Sequence, residues 1–486
     1  RTTNINGTPG KRNSADYLID PSVSMLTKDK TLTKAKNPYI IMADFTIPSE
    51  KTLTVEAGTV IKFLEGGISL AVEGILHTNG TKDSPVVFTS IKDDTYGGDT
   101  NQDGATSSPD HANWGTINLW GSGSSLDHTI MRYGGLKDPG GSLWAIIRGK
   151  NCDFSLSHST IEFSGAYGIW LEHCTATITD NHIQYQNIHH NSDSTGLAAT
   201  DSALTINGNV FRDNYIGALF HSTTGLDIIS VTNNIFLEQE SFAITLSGAY
   251  PAFSGNTAQE NGINGIFVSG GNLTRDYTFT PDLPYVMQSL VVPHGKTLTF
   301  DSGTIVKFDF SASLSVYGTL ETKGTAEKSV VFTSFGDDDC GISGGCQDTN
   351  GTTTALATGD WQHISFFPGS YGSTLSHTSI RYGGGNSNFA PLGALRIENA
   401  PLAMDYVLVE HNRRAGMFIK NAADVAIKNS LIQHNSGTIG ENDFGMFLVS
   451  SSTPLIQDTM FRNNETHIYD SDSTSAYIDG GGNTFE

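Results

Sequence analysis

The sequence predicts an all-β solenoid built as two tandem modules, and three observations carry that prediction. A long phrase occurs twice, TLTVEAGTVIKF at 52–63 and TLTFDSGTIVKF at 297–308. Within it, Leu53, Val55, Ile61 and Phe63, and in the copy Leu298, Phe300, Val306 and Phe308, alternate with polar residues on either side of a glycine turn. A period of two marks strands with one buried face. From residue 151 onward a shorter strand-turn phrase recurs, and Asn181, Asn209, Asn234 and Asn256 fall at its same point, 28, 25 and 22 residues apart. That spacing is one coil of a solenoid.

The long repeat extends in both directions. SLAVEGILHTNGT (69–81) answers to SLSVYGTLETKGT (313–325), VVFTS stands at 86–90 and 330–334, and Trp114 and RYGG (132–135) answer to Trp361 and RYGG (381–384). The offset drifts only from 244 (Ser69 to Ser313) to 249 (Arg132 to Arg381). The expected organisation is an N-terminal extension or cap at 1–25, a first module at 26–272 and a second at 273–486.

In stacked coils equivalent side chains lie about 4.8 Å apart, so asparagines in register form a hydrogen-bonded ladder. Asp405, Asn429 and Asp458 are the expected counterparts in the second module. Cys152 and Cys174, one coil apart, fall near the Cα separation of a disulfide. Cys340 and Cys346 sit in DCGISGGCQD, where glycines allow a small ring to close. Neither pair has the spacing of a metal knuckle, and two structural bridges point to an exported protein.

Composition narrows the partners. The 486 residues carry a formal net charge of −22, which repels nucleic acid and anionic membranes and favours cations or neutral glycans. No stretch approaches the roughly 18 apolar residues of a membrane span. The polar, basic start RTTNINGTPGKRNS has no signal-peptide core.

The phrases PYIIMADFTIPSEKTLTVEAGTVIKF, SLAVEGILHTNGTKDSPVVFTS and DDTYGGDTNQDG resemble the right-handed parallel β-helix proteins, the pectate-lyase-like architecture, and within it the β-helix modules of bacterial cell-surface and secreted proteins. The resemblance covers nearly all of 26–486. It implies a right-handed parallel β-helix of about 20 coils at 22–25 residues each and an extracellular or cell-surface location. It leaves activity open, because one scaffold carries lyases, hydrolases, adhesins and inert stalks.

The strongest chemical signal is an insertion at 93–113. DTNQDGATSSPD places Asp99, Asn101 and Asp103 at alternate positions before Gly104, and returns a carboxylate at Asp110, the twelfth residue. Alternating oxygens around a glycine turn suit a hard cation, and with no His or Cys among the candidates the expected ion is calcium. Asp93 and Asp94 upstream add to or substitute for these ligands. The copy at 337–360 keeps Asp337, Asp338, Asp339, Asp348 and Asn350 but has Thr352 in the third ligand position, and it gains the cysteine pair. It is a second, degraded metal loop in which a disulfide takes over the ordering.

Trp114 and Trp361 recur at matched positions and read as packing, whereas Trp120 and Trp144 lack such a match and are the candidates for stacking on sugar rings. Clusters able to act as acid or base are Glu172 with His173, His189 with His190, and Glu410, His411, Arg413, Arg414 and Lys420. No motif of a hydrolase or lyase surrounds them, so no residue is assigned a catalytic role. The favoured function is a non-catalytic adhesin, stalk or fibre subunit that binds a polysaccharide, a cell-surface glycan or its own neighbours. The alternative is a secreted calcium-dependent polysaccharide lyase or glycoside hydrolase. Residues 1–25 are expected to dock on a β-helix, with DYLID added to a sheet edge, and head-to-tail self-assembly into filaments follows if that edge belongs to a neighbour.

Overall fold

The computed structural model describes residues 24–136, 145–186, 194–225, 227–341, 345–346, 348–350, 356–385, 393–436, 443–472 and 474–486. The protein is a right-handed parallel β-solenoid of about 17 turns. The expected 20 coils counted the insertions as coils. Between strands Val86–Ser90 and Ile117–Leu119, and again between Val330–Ser334 and Ile364–Phe366, the described chain forms loops instead. Two compact units divide the molecule, Arg1–Thr245 with Ala249–Gly262, and Leu246–Gly248 with Ile263–Glu486.

In the first unit one nine-stranded sheet runs from Lys30–Leu32 to Ala252–Ser254 and a second from Tyr39–Ile41 to Thr257–Gln259. A third face carries Phe45–Ile47, Leu70–Val72, Ile117–Leu119, Ala145–Lys150, Tyr167–Glu172, Thr195–Thr200 and Ile216–His221. The register sets apolar residue over apolar residue: Ile178 over Ile206 over Val231, and Ile183 over Phe211 over Phe236. All of these are closed to solvent. The Phe211 and Phe236 rings stack at 4.9 Å, matching the strand spacing of about 4.8 Å.

The asparagine ladder is present and buried. Asn181 donates Nδ2 to Asn209 at 2.9 Å, Asn209 to Asn234 at 2.9 Å and Asn234 to Asn256 at 3.0 Å. A parallel ladder of Gln186, Asn214, Gln239 and Asn261 lies at the next corner, with Asn214 Nδ2 on Gln239 Oε1 at 3.0 Å. Asn209 Oδ1 also accepts the Asn181 backbone N–H at 3.0 Å, and its Nδ2 reaches the Ile178 carbonyl at 2.8 Å. Replacing it with alanine strands buried groups on both neighbouring coils, at about 1–3 kcal/mol each. Asn209→Ala is therefore expected to lower stability by about 2 kcal/mol in urea unfolding. Asn233→Gly, at an exposed left-handed corner that glycine also fits, should change it by less than about 0.5 kcal/mol.

The second unit has its own eight-stranded sheet from Gly271–Asn272 to Thr466–Asp470. Its buried asparagine column is Asn412, Asn435 and Asn464, joined at 3.0 Å per step. This corrects the expected series. Asp405, Asn429 and Asp458 are exposed, joined only by Asn429 Nδ2 donating to Asp405 Oδ1 at 2.8 Å, and Asn429 and Asp458 occupy left-handed backbone at φ 47° and 48°. The residue after each left-handed corner turns inward instead, so Ser430 and Thr459 carry the column there.

Both disulfides form, Cys152–Cys174 with Cα atoms 4.6 Å apart and Cys340–Cys346 at 5.5 Å. At the start of the described chain, Leu26 N–H bonds to Thr46 O at 2.8 Å and Thr46 N–H to Ser24 O at 2.9 Å, which adds 24–26 beside Phe45–Ile47. DYLID lies outside the described residues.

Candidate metal centre

The 93–113 loop is anchored from beneath by charge. Lys62, on strand Val60–Phe63, is fully buried and donates Nζ to the Asp93 and Gly98 carbonyls, both at 2.7 Å. Burial pulls its pKa down to about 8 against the opposing pull of Asp93, Asp94 and Asp99. Asp93 is buried too. Its carboxylate accepts the Thr89 hydroxyl at 2.6 Å and the Thr95 N–H at 3.1 Å, and lies 3.8 Å from Arg132 Nε. Arg132 pairs with Glu162 at 3.3 Å and covers the Tyr133 ring. Trp114 stacks on Phe63 at 4.2 Å and donates its indole N–H to Arg132 O at 2.8 Å. A Cβ on Gly134 would come within 2.7 Å of that indole.

Above this base the loop gathers oxygen. Ligand atoms of Asp94, Asp99 and Asp103 lie within 4.8 Å of one another. Asp99 accepts the N–H groups of Gln102, Asp103 and Gly104 at 2.7, 3.2 and 3.1 Å, the turn that Gly104 at φ +70° permits. The Oδ1 atoms of Asp94, Asn101 and Asp103 are buried and accept no hydrogen bond. Burial and the Asp99 carboxylate push Asp94 above the usual carboxylate range. Buried acceptors without donors are costly, and hard oxygens of this kind are the ligands that calcium or magnesium would take. Asp93 stands apart, spent on Thr89, Thr95 and Arg132. So does Asp110, whose carboxylate takes the His111 N–H at 2.8 Å and its ring at 3.1 Å and is held low by those bonds.

The second unit has the same base under a different loop. Lys307 is fully buried and bonds Asp338 Oδ1 at 3.0 Å. Asp337 accepts Thr333 Oγ1 at 2.5 Å and the N–H groups of Asp339 and Cys340 at 3.2 and 3.0 Å. Arg381 joins Asp337 at 3.3 Å and Glu410 at 3.1 Å, and Trp361 stacks on Phe308 at 4.4 Å. Asp337 and Asp338 are thus engaged by the framework, and Asp348 Oδ1 accepts the Asn350 N–H at 3.0 Å. Among the described residues this loop gathers no set of three ligand groups like the first.

Trp120 is 44% exposed, and Trp144, His189 and His190 lie outside the described residues. Trp120 does have a counterpart that its residue type concealed. Its N–H bonds Val72 O at 2.8 Å, and in the second unit Phe367 N–H bonds Val316 O at 3.0 Å at the same point of the coil. Phe367 stacks on Tyr317 at 4.7 Å, and Tyr371 is 71% exposed. Of the acid-base candidates, Glu172, Glu410 and Arg413 are engaged by the framework. Glu172 pairs with Lys150 at 3.1 Å, Glu410 with Arg381 and with Gln433 Nε2 at 2.7 Å, and Arg413 is buried.

Fold and loops together define a right-handed parallel β-helix protein. Residues 145–280 match the family model described as right handed beta helix region, and residues 24–138 the pectate-lyase like beta helix domain. Among curated proteins, Protein bark beetle of Drosophila melanogaster is 37% identical over 68 residues, which are 14% of this chain and 2% of that protein. Among solved structures, the Azotobacter vinelandii mannuronan C-5 epimerase AlgE4 A-module is 12% identical with a TM-score of 0.21, covering 91% of this chain and 89% of its own. The Agl-KA catalytic domain is 10% identical with a TM-score of 0.22, covering 88% and 62%. The tailspike of E. coli bacteriophage HK620, in complex with a pentasaccharide, is 10% identical with a TM-score of 0.25, covering 92% and 73%.

Proposed function

We propose that the protein is a non-catalytic extracellular or cell-surface β-helix module that binds glycans, built from two copies of one unit, with calcium ordering the loop of the first. The carrying observation is where its charge goes. In both units a matched constellation, Lys62, Asp93, Arg132 and Glu162 or Lys307, Asp337, Arg381 and Glu410, is turned inward and self-neutralised. Such groups hold loops to coils and do not face a substrate. At one coil position Trp120 stands exposed in one unit, and in the other the half-buried Phe367 stacks on Tyr317 beside the exposed Tyr371. Two disulfides favour an oxidising compartment, and no described helix is long and apolar enough to cross a membrane.

Affinity electrophoresis over a panel of neutral and acidic polysaccharides, with reducing-end and unsaturated-product assays in parallel, tests the reading. Retention without product formation is expected, weakened about fivefold by Trp120→Ala for the loss of roughly 1 kcal/mol of ring stacking. Release of product would establish the lyase or hydrolase alternative. No retention on any glycan would leave binding to its own neighbours, read by sedimentation.

A further inference from the structure

On the outer corner between the first two sheets of the first unit, a second set of ligand groups stands clear of the acidic loop. Asp127, His128 and His158 place ligand atoms within 4.8 Å of one another. His158 Nδ1 is 2.8 Å from Asp127 Oδ1, and His128 Nδ1 is 3.1 Å from Oδ2. Both imidazoles therefore turn the same nitrogen to the two oxygens of one carboxylate. The side chains are 43%, 26% and 51% exposed for Asp127, His128 and His158, so an ion can reach them. A cleft of about 280 Å³ opens beside the imidazoles and carries Asp180 and His182 of the next coil, with Asp180 Oδ2 4.0 Å from His158 Nε2.

The fold does not require this chemistry at this corner. In the second unit, the hydroxyls of Thr322 and Thr378 meet at 2.6 Å, as those of Thr78 and Thr129 do in the first. That contact aligns His377 with His128, Ser376 with Asp127 and Tyr406 with His158. His377 and Tyr406 stack at 4.6 Å and 17°, against 4.6 Å and 19° for His128 and His158. All four residues lie in left-handed backbone, at φ between 42° and 54°. A pair of stacked rings thus meets the architectural need, and the carboxylate with a second imidazole goes beyond it.

We propose that Asp127, His128 and His158 form a binding site for a divalent transition metal of the zinc class. Two imidazoles and one carboxylate are a borderline-soft donor set that prefers such ions to calcium or magnesium. The edge of a zinc tetrahedron with bonds of about 2.0–2.1 Å is about 3.3 Å. The observed 2.8 and 3.1 Å run to the two oxygens of Asp127, so binding one ion needs the two stacked rings, 4.6 Å apart, to rotate toward a shared point. The cleft leaves the fourth position to water.

Zinc titrated calorimetrically into the full chain saturated with calcium tests the site, with cobalt absorption reporting its geometry. One zinc is expected to bind at micromolar concentration, with tetrahedral cobalt bands. Asp127→Asn should weaken it at least tenfold. His158→Tyr, which copies the second unit's own pair, should remove it while leaving the circular dichroism and melting unchanged. Asp99→Asn should leave it intact, which separates this site from the calcium loop. Unaltered zinc binding in both Asp127→Asn and His158→Tyr, or no binding by the parent at micromolar metal, would overturn the assignment.

Discussion

Chelating calcium lowers the melting temperature of the first unit by roughly 5–10 °C and leaves the second unchanged. An ion bound only by the folded state at a hundred times its dissociation constant stabilises by about 2.7 kcal/mol. For a unit of this size each kcal/mol moves the midpoint by about 2–4 °C. Four of the five tryptophans, Trp114, Trp120, Trp144 and Trp170, precede residue 245, so in a Trp361→Phe background fluorescence reports the first unit alone. Asp103→Ala should abolish the calcium-dependent shift, because its Oδ1 is one of the buried acceptors without a donor. Asp110→Ala should keep the shift, since that carboxylate is already bonded to His111. Asp93→Ala should lower the midpoint with or without calcium, because it breaks the base of the loop. Identical melting in calcium and in excess chelator would sink the calcium site.

Arg381→Leu is expected to cost the second unit about 3–5 kcal/mol, the loss that follows when one partner of a buried ion pair is removed. Its guanidinium is almost wholly enclosed and sits between Asp337 and Glu410, whose side chains are 0% and 8% exposed. Both would be left as uncompensated charge. Adding Asp337→Asn and Glu410→Gln should recover most of the loss, and that recovery separates charge from packing. Hydrogen exchange over Ile364–Phe366 and Thr374–Arg381 under mild urea gives the readout. Protection unchanged by the single substitution would refute the electrostatic account. Arg132→Leu should cost less, because Arg132 keeps 14% exposure and one of its contacts is at 3.8 Å.

What was legible in the sequence was what repeats in register. The coils, the all-asparagine ladder and the Cys152–Cys174 bridge recur at coil spacing, and stacking turns equal spacing into contact, while Cys340 and Cys346, six residues apart, were legible as a small glycine-rich ring. The second ladder, from Gln186 to Asn261, has the same spacing but alternates two residue types, so no single letter marks it. The second unit's column was displaced by one residue, because Asn429 and Asp458 suit a left-handed corner as well as a buried rung. The acidic loop was legible as composition, and folding brings Asp99 and Asp103 together with Asp94. The roles of Asp93 and Asp110 were not, since their partners Arg132 and His111 are assigned by folding. The Asp127, His128 and His158 group joins two coils about 30 residues apart and leaves no local pattern.

The left-handed corner has a consequence for how such a chain diversifies. In the first unit it passes through His128, His158, Asp180, Gly208, Asn233 and Gly255, at φ from 46° to 70°. One residue per coil is thus held outside, about 4.8 Å from the next, next to a buried rung that fixes the backbone. Within the residue types that left-handed backbone admits, a mutation there changes the surface more than the interior. Lineages can exchange imidazole, carboxylate, amide or a bare glycine along the edge, much as type is changed in a fixed frame. Where such a molecule acquires new specificities, this edge is where neutral drift can try them first.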